Sequence, residues 1–184
     1  MSTKKESIIT VFGSSRPQEG EADYEAARAL GRILAENDFA VCSGGYAGVM
    51  AAVSRGAKEG GGKTYGVTTE FFSAKANPWI DKEIRVATWQ DRLFELIRVA
   101  HGFVACKGGT GTLVELAVVW EMLNKSVMTG KPFAVLGDFW LPILERVREV
   151  ELGHPAPWGE RNGRLVHIAA TPADAAQHLI EKLR

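Results

Sequence analysis

The chain predicts an α/β protein in which helices cover both faces of a doubly wound, mainly parallel β-sheet. Two observations carry that prediction. Short β-type runs alternate with amphipathic segments along nearly all of the 184 residues, and the intervening segments have the length of a helix that returns a chain to the next parallel strand. A third observation bounds it: no internal repeat, linker or low-complexity tract interrupts the series, so residues 1–184 read as one domain.

Taken in order, SIITVFG (7–13) is a strand ending at Gly13. Residues 21–37 place Ala26, Ala29, Leu30, Ile33 and Leu34 at helical spacing, and the END tripeptide at 36–38 ends that helix. FAVCSGG (39–45) is a second strand that runs into glycines. GVMAAVSRGAKEGGG (48–62) is a helix of small residues stopped by glycine, and KTYGVTT (63–69) a third strand. Residues 70–83 are the least regular part, with a loop at Asn77-Pro78-Trp79. IRVAT (84–88) is a short strand followed by a helix over 89–101, and GFVAC (102–106) a buried strand followed by a helix over 110–124. KPFAVLG (131–137) is a strand before a helix at 139–150. A proline- and glycine-rich loop at 154–163 leads to a last strand, LVHIA (165–169), and Pro172 opens the final helix.

The composition excludes several classes of function. Lysine plus arginine equal aspartate plus glutamate at 22 each, so no basic field recruits nucleic acid or an anionic membrane. No apolar run is long enough for a membrane helix, and the N-terminus lacks the apolar region of a secretory signal, which gives the expectation of a cytoplasmic protein. Cys42 and Cys106 lie in separate apolar runs without histidine at metal-ligand spacing, so they read as buried free thiols and no metal site is expected.

In a sheet of this kind ligands bind beyond the carboxyl ends of the strands, which directs attention to the loops after them. Three carry glycine and hydroxyl groups: GSSRP (13–17), SGGYAG (43–48) and KGGTGT (107–112). Glycine lets main chain approach a ligand closely, and a helix start offers free N–H groups to an anion. A tight β–α connection explains any one of these loops alone, and Thr110 or Thr112 would serve equally as a helix cap. All three at one edge of the sheet point to a phosphate-bearing ligand, with Gly13, Ser14, Ser15, Gly44, Gly45 and Gly108–Thr112 as its candidate contacts. GxxxxGK[ST] is absent, and GxGxxG is absent from the first β–α turn, so neither a Walker loop nor a dinucleotide fingerprint is present. Glu115, one turn after Thr112, favours the helix dipole, or else it is a carboxylate within the anion site that faces the sugar.

KGGTGTLVE (107–115) resembles the PGGxGTxxE signature of the Lonely Guy family, and SGGYAGVM (43–50) resembles that family's GGGxxGLM segment. Arg92 falls where the family carries its arginine, and the resemblance extends over residues 7–150. It implies a Rossmann-like, usually dimeric protein that cleaves the N-glycosidic bond of cytokinin nucleoside 5′-monophosphates to free base and ribose 5-phosphate, with no cofactor. A similar fold serves as a molybdenum-cofactor carrier without that chemistry. Carried over by position, the resemblance puts Gly108, Gly109, Thr110, Gly111 and Thr112 on the phosphate, adds Met50 to the substrate contacts, and makes Arg92 and Glu115 the catalytic pair. Two positions depart from the pattern. The proline before the glycines is Lys107, which would strengthen phosphate binding or pair with Glu115, and the lysine after the arginine is Leu93. The family's older label, "possible lysine decarboxylase", would require a Schiff-base lysine, and Lys107 reads instead as a phosphate contact or surface residue.

Arg98, almost two turns beyond Arg92, is assigned to the same cleft, with a subunit interface as the other reading. The apolar excess of Leu93, Phe94, Ile97, Val118, Val119 and Met122 suggests a homodimer built on the helices at 89–101 and 110–124. His101, His154, His167 and His178 are scattered and read as structural, and Ser14 and Ser15 are not in a nucleophile elbow.

Overall fold

A computed structural model of the chain describes residues 6–153 and 163–184, so the loop read at 154–163, His154 included, lies outside the described residues but for Gly163. Seven strands form one sheet: β1 (Ser7–Phe12), β2 (Phe39–Ser43), β3 (Thr64–Thr69), β4 (Lys82–Val86), β5 (Gly102–Ala105), β6 (Phe133–Leu136) and β7 (His167–Ala169). Six helices accompany them among the described residues: α1 (Ala22–Glu36), α2 (Val49–Glu59), α3 (Trp89–Val99), α4 (Thr110–Asn124), α5 (Leu141–Leu152) and α6 (Pro172–Leu183). The strand order is β4-β3-β2-β1-β5-β6-β7 and every pair is parallel, so the sheet is wholly rather than mainly parallel.

Alternation along each strand divides the core into two layers. Ile9, Val11, Val41, Val104 and Ala134 face α1, α2 and α6, where Leu30, Leu34, Val53 and Leu179 are fully buried. Phe12, Cys42, Phe103, Phe133 and Val135 face the other side, packed with Leu96, Leu116, Val119 and Leu144 from α3, α4 and α5. Phe12 and Phe103 stack with ring centroids 6.0 Å apart, and Phe133 meets Phe103 edge-on at 6.1 Å. Burying each of these rings stabilises the fold by about 2–3 kcal/mol. Both cysteines are buried and free, as their surroundings in the sequence suggest.

The small-residue pattern of α2 has a packing cause. Gly56 lies against the main chain of α1, and a Cβ there would sit 1.8 Å from the Arg28 carbonyl oxygen. Gly31 answers it from α1, where a Cβ would sit 2.1 Å from the Val53 carbonyl oxygen. The two helices therefore touch backbone to backbone. Gly56→Ala is expected to lower stability by about 2 kcal/mol, because overpacking against a rigid carbonyl outweighs the better helix propensity of alanine. Urea unfolding checks this; an unchanged midpoint would show that the helices can separate freely.

Strand bounds shift at the sheet's two ends: β4 begins at Lys82 rather than Ile84, and β7 at His167 rather than Leu165. β4 is one of the sheet's two edges, and its charged residues Lys82, Glu83 and Arg85 are exposed, as edge strands require, so its apolar signal shrinks to Ile84 and Val86. At the centre, β1 lies between β2 and β5, and the order of strands reverses there. His101 joins the two sides of that reversal: its N–H donates to the Ile8 carbonyl at 2.7 Å, and its Nδ1 accepts from the Ile8 N–H at 3.1 Å.

Candidate active site

The loops that leave β1 and β5 separate above this reversal and open a cleft of about 1050 Å³ at the carboxyl ends of the strands. The β1 loop is fastened from both sides. Ser14 N–H donates to the Lys107 carbonyl at 3.1 Å, and Val49 N–H donates to the Ser14 carbonyl at 2.8 Å. Gly48, at φ +66°, lies under this loop so closely that a Cβ would approach the Ser14 oxygen to 2.3 Å. The β5 loop is held by the Trp140 indole, whose Nε1 donates to the Cys106 carbonyl at 3.0 Å.

The start of α4 faces the cleft uncapped. Gly109 occupies the cap position and supplies no side chain, so neither Thr110 nor Thr112 caps the helix. The first-turn N–H groups of Thr110, Gly111 and Thr112 have no intrahelical acceptor and carry the positive end of the helix dipole. A Cβ at Gly109 or Gly111 would meet no atom within 4 Å, so both positions border open space. Thr112 is buried, its hydroxyl tucked where a side chain at Gly108 would otherwise lie. This is a cradle shaped for an anion such as phosphate.

Arg92 is 8% exposed and enters from α3, whose start is capped by the Thr88 hydroxyl accepting from Asp91 N–H at 3.0 Å. Its Nε donates to the Val67 carbonyl at 2.8 Å and its Nη2 to the Gly44 carbonyl at 3.0 Å. The guanidinium carbon lies 5.3 Å from the Tyr46 ring centroid and 5.9 Å from that of Phe72. Gly44 is glycine because a Cβ there would lie 1.8 Å from Arg92 Nη2. Burial lowers the Arg92 pKa, opposed by Glu115 and Tyr46, yet the group stays charged because its ordinary value is so high.

Glu115 faces Arg92 across the cleft, with Oε1 4.0 Å from Nη1, a charge contact too long for a hydrogen bond. Its side chain is 15% exposed and accepts no hydrogen bond from any described residue. Burial therefore dominates and pushes its pKa up from 4.5 to about 7, with Arg92 pulling the other way. A carboxyl poised near neutrality within reach of a fixed cation is suited to acid–base work or to stabilising a developing positive charge.

Of the sequence candidates, Gly13, Ser14, Ser15, Met50, Arg92, Lys107, Gly108, Gly109, Thr110, Gly111, Thr112 and Glu115 line this cleft together. Gly44 sits behind Arg92 and shapes its seat, whereas Gly45, at φ +77°, packs against Thr68 and Gly66. Arg98 is elsewhere. It lies on an exposed face, bound to Glu95 through Nε and Nη2 at 2.6 Å each, and borders a separate groove with Phe94 and Lys131. Six residues along a helix is about one and two-thirds turns, which takes Arg98 off the face of Arg92. Lys107 does not pair with Glu115: its ammonium contacts Asp23 at 3.2 Å and overlies the Phe139 ring at 5.8 Å. Of the apolar set read as a subunit interface, Leu93, Ile97 and Val119 are buried in the protein's own core, Val118 and Met122 are partly buried against it, and Phe94 is exposed.

Sequence reasoning missed Tyr46, Phe72, Trp89, Asp23 and Phe139 in the cleft wall. They come from five separate segments; Tyr46 lies inside SGGYAG and Phe72 in the loop after the third strand, both among the loops at strand ends, while Trp89, Asp23 and Phe139 lay in no segment read as part of the site. The expectation of structural histidines holds for His101, which bonds to Ile8, and for His167, which stacks on His178 and contacts Asp174 at 2.9 Å. No helix among the described residues is long and apolar enough to cross a membrane.

Comparison with known proteins agrees with this geometry. A cytokinin riboside 5′-monophosphate phosphoribohydrolase of Mycobacterium marinum is 30% identical over 133 residues, 68% of this chain and 71% of that protein. An enzyme of the same description from Rhodococcoides fascians is 26% identical over 147 residues, covering 76% of this chain and 73% of its own. Among solved structures, the molybdenum cofactor binding protein of Rippkaea orientalis matches with a TM-score of 0.77 at 25% identity, over 98% of this chain and 99% of that one. The family resemblance read from the sequence is thus borne out. The profile of the SLOG cluster4 family matches residues 6–141, from β1 through the cradle and Glu115 to the start of α5, and the chain belongs to that family.

Proposed function

We propose that the protein is a nucleoside 5′-monophosphate phosphoribohydrolase. The observation that carries this reading is the pairing of a largely buried carboxyl, Glu115, which accepts no hydrogen bond from any described residue, with a buried arginine inside a cleft that also presents an uncapped helix start. The 5′-phosphate binds the N–H groups of Thr110–Thr112, and Arg92 Nη1 fixes the ribose or phosphate oxygens. The C1′–N bond breaks with its electron pair passing to the base, which leaves oxocarbenium-like charge on C1′. Ionised Glu115 stabilises that charge and orients the attacking water. The water oxygen bonds to C1′, and its proton balances the one taken up by the departing base, so base and ribose 5-phosphate form without a cofactor. Arg92 cannot give up a proton and acts by position alone.

A second reading, a nucleotide or molybdenum-cofactor carrier that does no hydrolysis, draws support from the full-length likeness to the Rippkaea orientalis protein and from Lys107 and Leu93 at two positions of the motif. Incubation with AMP and with isopentenyladenine riboside monophosphate, followed by chromatography for free base, separates the two. Release of adenine or isopentenyladenine is expected. Nucleotide binding with no base released from either compound would favour the carrier.

A further inference from the structure

Lys107 lies at the rim of the cleft with its main chain fixed, since its carbonyl accepts from Ser14 and the preceding Cys106 carbonyl accepts from Trp140. Its side chain leaves the cradle and crosses to the first turn of α1, where Asp23 is its ion-pair partner at 3.2 Å, and it rests over Phe139 at the approach to α5. Among the described residues Asp23 has no other ion-pair partner, and it lines the same cleft as the start of α4. A carboxylate at the solvent side of an anion cradle repels any charge that extends outward from the first phosphate. The ammonium of Lys107 neutralises it only while the pair holds.

From this juxtaposition we infer that the Lys107–Asp23 pair is a specificity determinant for the number of phosphates on the ligand. The site accepts a 5′-monophosphate beside an Asp23 neutralised by Lys107, whereas a second phosphate on that side must displace Lys107 from Asp23 or approach the carboxylate. The inference rests on the nucleotide reading of the cleft but not on hydrolysis. The half-exposed position of both side chains makes the contrast one of severalfold rather than many decades.

The test is binding of AMP and ADP measured by calorimetry on the full chain, with Asp23→Asn, Asp23→Glu and Lys107→Met. Wild type is expected to bind AMP the more tightly. Asp23→Asn frees the ammonium and shifts the ADP-to-AMP affinity ratio toward ADP by about fivefold, while Asp23→Glu keeps the wild-type ratio. Lys107→Met leaves the carboxylate unneutralised and weakens ADP more than AMP. An unchanged ratio in Asp23→Asn, with AMP still bound, overturns the inference and leaves the nucleotide site standing. Absence of binding by either nucleotide to the wild-type protein overturns the nucleotide reading itself, and this inference with it.

Discussion

Glu115→Gln is expected to reduce base release by about 10³-fold while making the protein more stable above neutral pH. Both effects come from one carboxyl. Its folded pKa of about 7 exceeds the ordinary 4.5, so between those values the folded chain holds a proton that the unfolded chain has lost. Stability therefore falls as pH rises from about 4.5 to about 7, and the penalty is fully present above that range. Its size is on the order of 3 kcal/mol, since each pH unit is worth about 1.4 kcal/mol. Glutamine never ionises, so the variant escapes the penalty at pH 8 and shows little advantage near pH 4.5. Thermal unfolding at the two pH values, beside a base-release assay, reads both effects. The wild-type rate should also rise with pH through about 7, as the carboxylate forms. A variant that keeps activity within threefold of wild type would remove Glu115 from the mechanism.

Arg92→Lys is expected to lower kcat/KM by about two orders of magnitude, although the charge is kept. The guanidinium fork reaches Val67, Gly44 and the Glu115 side of the cleft at once, with a different nitrogen toward each. A lysine has a single ammonium, which can meet one of the two carbonyls or the cleft but not all three. A buried carbonyl left without a donor costs about 1–3 kcal/mol, so a lower melting temperature accompanies the loss of rate. Steady-state kinetics together with a melting curve distinguish this from simple unfolding. Retention of wild-type kcat/KM by a folded lysine variant would show that charge alone suffices there.

The layers of this fold were legible in the sequence because buried parallel strands and their covering helices write strong, separate periods into the chain. Where one side of an element faces water, as in β4, charged residues dilute the period and its boundary moves. Within the site, Arg92 and Glu115 were legible because the family resemblance marks both positions, Glu115 inside the KGGTGTLVE motif and Arg92 upstream of it. The convergence of Asp23, Phe72, Trp89 and Phe139 was not, since each belongs to a different connection and only the assembled sheet brings them together. Arg98 shows the opposite error: nearness in sequence to Arg92 suggested a shared cleft, but helical phase sent it to another face. Lys107 was recognised as the odd residue, yet its partner Asp23 sits on a helix 84 positions away in the chain and left no trace in the motif.

The double hydrogen bond between His101 and Ile8 has a bearing on how the molecule assembles. Strands β1 to β4 pair in chain order, as do β5 to β7, so each half can form by closing only the crossovers between successive strands. The seam between the halves joins residues 93 positions apart, and that closure carries the largest entropy penalty in the sheet, roughly 1 kcal/mol beyond any other strand pair. Arg92 with Gly44 and Val67 belongs to the N-terminal side of the seam, and Glu115 with the cradle to the C-terminal side. The two groups proposed for catalysis thus come into register only when the halves dock, and a nascent chain has no such site until β5 has been made.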